Sequence, residues 1–230
     1  SRRCRPPRRD AERRRERERN IIAATRALFD ERASRDAPID EIARAAGINK
    51  ALIYRAFDSQ EEIFVLVVTE YLTELAGRTE QGTAAKSLEA ELRRCLEAYV
   101  GFCLEYPAFL DCALSLMQQP AAELRSRVSE AIWLRLGRAM AIPIGHLERI
   151  LAEGAASGAF SIEDPDFTAN RLYAQVLGSM HLARAQVGVR EVAPGIAGTF
   201  TLDPERVRDA CIDDALALAG IKPAAKGNKT

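Results

Sequence analysis

Histidine is nearly absent from this chain, with 2 in 230 residues. His146 and His181 have no acidic companion three or four positions on, so no histidine-based metal site is expected. The 5 cysteines are odd in number and scattered. Cys4, Cys95, Cys103, Cys112 and Cys211 make no C-x-x-C spacing, which argues against both a zinc knuckle and a disulfide framework. The last four fall within apolar helical patterns, where a free thiol serves as a small hydrophobe. No run of 18 apolar residues occurs, so no membrane span is expected, and no apolar stretch follows the Arg-rich start as a signal peptide would require. A nucleophile elbow, a phosphate-binding glycine loop and an H-E-x-x-H pair are all missing. Neither catalysis nor a cofactor is therefore expected, and a reducing cytoplasm suits the whole composition. Strand-type alternation is missing too, and residues 188–202, with three glycines and a proline, read as a loop.

Net charge is zero as well, but the balance hides a split. Residues 1–57 hold 16 Lys/Arg against 9 Asp/Glu, whereas residues 58–230 hold 17 against 24. One end of the chain is basic and the remainder acidic, a distribution suited to a nucleic-acid-binding end whose other part avoids phosphates. Ten arginines and four acids crowd residues 1–19. Pro6-Pro7 keeps the first part extended, and from Asp10 the segment can run into a helix. This Arg-rich arm is a candidate for lying along phosphates or entering a minor groove.

Residues 38–57, PIDEIARAAGINKALIYRAF, carry the most information. Ile39, Ile42, Ala43 and Ala46 set one face of a short helix. Gly47 stands where a left-handed cap ends it. Asn49 can cap a second helix that keeps Leu52, Ile53 and Phe57 for the core. Lys50, Ala51, Tyr54 and Arg55 are left outward near its start, the end that a helix-turn-helix places in the major groove. Ser59 with Glu62 forms an S-x-x-E capping box for the next helix.

With ERNIIAATRALFDE before it and SQEEIF after it, the segment 18–64 resembles the DNA-binding domain of the tetracycline-repressor (TetR) family. Ile21, Ile22, Ala24, Leu28 and Phe29 match that family's amphipathic first helix. Asn49 to Phe57 and Ser59 to Phe64 match its recognition helix and the opening of its fourth helix without gaps. The resemblance implies an all-α fold: a three-helix DNA-binding domain over residues 20–64 after the arm of 1–19, then a helical ligand-binding and dimerisation domain over 65–230. It also implies a homodimer on a pseudo-palindromic double-stranded operator, repression as the outcome, and control by a small, largely apolar effector. Asn49, Lys50, Ala51, Tyr54, Arg55 and Arg19 are the expected DNA contacts. Pro38, Ala56 and Gln60 depart from the family pattern, and each removes a usual phosphate contact. The arginine arm is the expected compensation. A carrier bundle that has lost DNA binding is the alternative reading, and the departures favour it while the basic end opposes it.

Beyond residue 64 the pattern is helical throughout. One helix carries Leu88 to Tyr106 and stops at Pro107, and a short one follows from Phe109 to Met117. A long helix is expected from Pro120 through Leu124, Val128, Ile132, Leu136 and Met140, kinked or broken at Pro143, resuming through Leu147 and Leu151. Asp164-Pro165 and Asp203-Pro204 open the last two, each an N-cap followed by a first-turn proline. Ala174 and Gly178, four apart, can form a close-packing seam, and the resemblance implies that these last two helices build the dimer. Tyr99, Phe102, Cys103, Tyr106, Trp133, His146, Tyr173 and Met180 are the candidate effector contacts, since pockets between bundle helices are lined by such side chains with a few polar groups among them.

Overall fold

The computed structural model describes residues 8–80 and 85–221. Among the described residues, ten helices and one hairpin divide between two compact units. The first comprises Ser1–Tyr71 and Pro107–Ala139, the second Leu72–Tyr106 and Met140–Thr230.

In the first unit, α1 (Arg8–Arg32) packs on α2 (Ile39–Ala45) and α3 (Lys50–Ala56). Ile21, Ile22, Phe29, Ile42, Ile53 and Phe57 are the buried side chains that join them. Part of α4 (Gln60–Glu80), then α6 (Pro107–Gln118), α7 (Ala121–Arg127) and the start of α8 (Glu130–Ser157) complete the unit. The hydroxyl of Tyr71 donates to Asp30 at 2.6 Å, and the Arg26 guanidinium lies 4.4 Å over the same ring.

The α2–α3 turn is fixed by its own backbone. Gly47 sits at φ +65°, and its N–H bonds the carbonyl of Arg44 while that of Ile48 bonds the carbonyl of Ala43. Two otherwise orphaned carbonyls at the end of α2 are thereby satisfied. Asn49 accepts the N–H of Ala51 at 2.9 Å, as its place before α3 suggests. Ser59 accepts the N–H of Glu62 at 3.1 Å to cap α4. The Glu62 carboxylate turns elsewhere than the capping box requires: it takes the N–H of Asp58 at 3.0 Å and that of Ser129 at 2.8 Å.

That last bond corrects the expected long helix from Pro120. Residues 121–157 form two helices, with Val128 extended at φ −127° between them. Ser59 Oγ donates to the carbonyl of Arg127, and Glu62 caps the N–H of Ser129. Side chains nearly seventy residues away thus end α7 and start α8, which no local pattern reveals. At Pro143 α8 continues unbroken.

The second unit joins the remainders of α4 and α8 to α5 (Leu88–Glu105), α9 (Pro165–Ala185), β1 (Val187–Ala193), β2 (Ile196–Thr201) and α10 (Pro204–Leu218). Helix α9 runs against α10 and both against α5, burying Leu92, Leu96, Phe102, Leu172, Val176, Leu177, Met180, Ala215 and Leu216. Asp164 and Asp203 cap α9 and α10 ahead of their first-turn prolines.

The expected loop over 188–202 is instead an antiparallel hairpin. Pro194-Gly195 forms its turn, with Gly195 at φ +73°, the sign a type II turn demands at that position. Gly188 faces Phe200 and Gly198 faces Val192, each so closely that a Cβ would meet the opposite side chain at 2.3–2.4 Å. The glycines that suggested a loop are seats for cross-strand side chains. Among the described residues the scaffold is otherwise all-α.

Cys95, Cys103, Cys112 and Cys211 are free and buried. Burial raises every one of these thiol pKa values, that of Cys95 to about 12. Cys4 lies outside the described residues. Among the described residues no single helix is long and apolar enough to cross a membrane.

Candidate functional site

Two sites emerge, one in each unit. The first is the outward face of α3. Ile53 and Phe57 anchor the helix in the core, which leaves Tyr54 60% exposed with Lys50, Ala51 and Arg55 also exposed beside it. Asn49 is engaged as the cap, so its carbonyl oxygen already holds a donor. Arg19 is exposed on α1, while the neighbouring Asn20 donates its amide to the carbonyl of Ala46 at 3.3 Å and ties α1 to the turn.

Lys50 is not a free cation. Its ammonium lies 2.9 Å from a carboxylate oxygen of Asp40 on α2, and this bond raises its pKa. Asp40 did not stand out in the sequence, where it reads as a first-turn acid of α2. Arg55 turns toward α1. Arg13, Arg14, Arg17, Arg55 and Ala56 line one open groove of about 380 Å³.

The three departures from the family pattern have structural counterparts. Pro38 precedes α2 with no side-chain cap. Ala56 offers only a methyl group to the groove. The Gln60 amide donates to the carbonyl of Ala37 at 3.2 Å and is committed inside the unit.

The second site is a small apolar cavity of about 30 Å³ within the second unit. Leu72, Leu75 and Thr79 of α4 line it with Cys95, Leu96 and Tyr99 of α5, Met140, Pro143, Ile144 and Leu147 of α8, and Tyr173 of α9. The rings of Tyr99 and Tyr173 stack with centroids 6.0 Å apart and planes 7° from parallel. The Tyr99 hydroxyl is buried with no hydrogen-bond partner, and burial holds its pKa well above the ordinary value. Burial likewise pushes Tyr173 up to about 12. Thr79 spends its hydroxyl on the carbonyl of Ala76. No lining side chain is charged at neutral pH.

Of the eight side chains expected here, Tyr99 and Tyr173 line the cavity. Phe102, Cys103 and Met180 are buried in the core of the same unit without lining it. Tyr106 stands in a polar cluster, donating to Glu74 at 3.1 Å and accepting from Arg78 at 3.1 Å. Arg78 also bonds Glu105, and its guanidinium lies 5.0 Å from the centroid of the Phe102 ring. Trp133 belongs to the first unit. His146 meets Arg149 through Nδ1 at 3.3 Å, its Nε2 is buried without a partner, and burial lowers its pKa. The missed liners on α4 carry no mark in the sequence, because that helix is buried from Ile63 to Val68 without alternation.

The surface of α9 has its own pattern. Phe167, Arg171, Ala174, Gly178 and Leu182 are all exposed and fall on one helical face. A Cβ added at Gly178 would meet nothing within 4 Å. On α10, Ala210, Asp214 and Ala217 form a similar exposed row.

Comparison with known proteins bears on the first unit above all. Residues 21–67 match the family model of the bacterial regulatory proteins, tetR family. No curated protein matches the chain. Among solved structures, RolR in complex with resorcinol superposes with a TM-score of 0.63 at 18% identity, over 92% of this chain and 91% of that one. PfmR from Thermus thermophilus, a TetR family transcriptional regulator, gives 0.57 at 18%, over 89% and 99%. A TetR transcription regulator from Haloarcula marismortui gives 0.60 at 18%, over 89% and 97%. At these identities the likeness is one of fold.

Proposed function

We propose that this chain, which belongs to the tetR family of bacterial regulatory proteins through residues 21–67, is an effector-controlled repressor that binds a pseudo-palindromic duplex operator as a homodimer. Residues 20–64 form the DNA-binding domain in this reading, after an arm of 1–19, and residues 65–230 bind the effector and the second protomer. The observation that carries it is the outward face of α3, where Lys50, Ala51, Tyr54 and Arg55 stand exposed on a helix anchored by a glycine turn and an Asn49 cap. Arginine, lysine and tyrosine on such a helix suit phosphate oxygens and base edges, and alanine admits close approach or a thymine methyl.

One α3 spans only a few base pairs, so two copies related by a two-fold axis are needed for a useful operator. The exposed rows of α9 and α10 favour those helices as the seam, since small residues allow close helix approach. The effector in this reading is compact, uncharged and largely apolar. Charged ligands are disfavoured because no lining group would neutralise them. Among the lining side chains Tyr99 offers a buried hydroxyl to an incoming acceptor, and Met140 is a flexible side chain that can make room. RolR, which shares the fold, is described in complex with resorcinol. The effector would act by binding one of two conformations more tightly than the other.

Selection from randomised duplex DNA at physiological salt is the deciding experiment. Enrichment of a pseudo-palindrome supports the regulator. A folded chain that enriches nothing overturns it and favours a small-molecule carrier with a silent helix-turn-helix.

A further inference from the structure

The groove beside Arg55 has a composition that the outward face of α3 does not explain. Arg13, Arg14 and Arg17 of α1 converge there with Arg55 of α3, and no acidic side chain lines it. None of the four arginines has an ion-pair partner among the described residues. Of the acids on this part of α1, Glu18 is bonded to Arg135 at 2.9 Å. A second open groove, lined by Arg13, Glu16, Arg17, Asn20 and Ile48, continues from the first toward the α2–α3 turn. Four guanidinium groups gathered in a groove that no acid lines repel one another. Such a cluster is stabilised by a polyanion, and the guanidinium fork fits a phosphate better than an ammonium does.

We propose that the N-terminal turns of α1 form a phosphate-gripping rail: Arg13, Arg14 and Arg17, together with Arg55, hold the sugar-phosphate backbone of duplex DNA beside the bases that α3 faces. The inference rests on the reading of α3 as the DNA-binding element and adds a second contact surface to it. The rail is ordered, because residues 8–32 are a single helix, as the reading of a helix from Asp10 onward expects. Arg13 and Arg17, one turn apart, sit about 6 Å from each other along the helix axis. The rail also accounts for how the domain tolerates its departures. Pro38 has no side-chain donor to give, Ala56 has none, and Gln60 has turned its amide to Ala37. Phosphate contacts missing around α2 and α4 are made instead from α1. The partner is the duplex backbone, so the rail adds affinity and salt dependence without adding sequence preference.

The test compares three proteins on the operator obtained by selection: the full chain, the triple variant Arg13→Gln/Arg14→Gln/Arg17→Gln, and a control that loses equal charge at exposed arginines elsewhere, Arg125→Gln/Arg138→Gln/Arg190→Gln. Glutamine keeps helix propensity close to that of arginine, and far-UV circular dichroism checks that α1 persists. Affinity is measured across a salt series and the contacts by hydroxyl-radical footprinting. In the triple variant the slope of log K against log salt should fall by about one unit per arginine in each protomer. Its selected sequence should stay the same, and protection should vanish from phosphates flanking each half-site. The control should keep both slope and footprint. An unchanged slope and footprint in the triple variant overturns the rail and leaves the α3 reading intact. Equal losses in triple variant and control also overturn it, by reducing the effect to net charge. Failure of the full chain itself to select a sequence overturns both readings together, and equal binding to single-stranded RNA would reassign the groove to polyanions in general.

Discussion

Glu62 is 3% exposed yet keeps its charge. Burial raises its pKa, and the N–H groups of Asp58 and Ser129 more than offset that, so it lies below the ordinary carboxylate value. A lowered folded pKa means stability that is complete above the unfolded carboxylate pKa and is lost as pH falls through the folded one. Glu62→Gln should cost on the order of 1–3 kcal/mol at neutral pH, because one of the two backbone donors then faces an amide NH2. The variant should also show a shallower acid limb in melting temperature against pH, and parallel limbs would count against the carboxylate's role. Tyr99 presents the opposite case, a buried donor with nothing to bond. Tyr99→Phe should leave the effector-free protein as stable or raise it by about 1 kcal/mol, since it removes an unsatisfied polar group. The same variant should bind an acceptor-bearing effector more weakly, read by the concentration that releases operator DNA. A clear loss of effector-free stability would show that the hydroxyl is already satisfied, for instance by a bound water.

The elements divide by how local their determinants are. The α2–α3 turn, the Asn49 cap and the Asp-Pro openings of α9 and α10 were legible because each depends on neighbours within a few positions. The break at Val128 was not, because Ser59 and Glu62 impose it from α4. The hairpin was missed for a different reason. Glycine in a strand is usually a weakness, and only the close approach of the Phe200 side chain to Gly188 and of the Val192 side chain to Gly198 shows that it makes room here. Pro194-Gly195 was the available signal, a turn pair between two stretches rich in valine, isoleucine and threonine. The α3 face was readable for the same reason as its turn, whereas the cavity was half readable. Aromatic residues marked Tyr99 and Tyr173, but the aliphatic liners of α4 look like any core helix. Gly47→Ala isolates the turn: nothing lies within 4 Å of the new Cβ, so the cost comes from the left-handed backbone alone. About 1–2 kcal/mol is expected from denaturant unfolding, and a neutral result would mean that the turn rearranges.

At the scale of the molecule, a basic end and an acidic remainder share one neutral chain. A homodimer built on α9 and α10 would place the open surface at Gly178 against its copy. A Cβ added at Gly178 meets nothing within 4 Å and the position is exposed, so Gly178→Glu should retain the monomer's melting behaviour at low concentration. Its mass by light scattering should fall from dimer to monomer, and a persistent dimer would remove α9 from the seam. The buried cysteines give the molecule one more property. Their raised pKa values leave almost no thiolate to react, so an alkylating reagent reaches them only when the surrounding structure opens. Cys112 belongs to the first unit, while Cys95, Cys103 and Cys211 belong to the second. The chain thus carries a separate chemical clock in each unit, and the order in which those four sulfurs gain mass during a labelling pulse records which unit comes apart first.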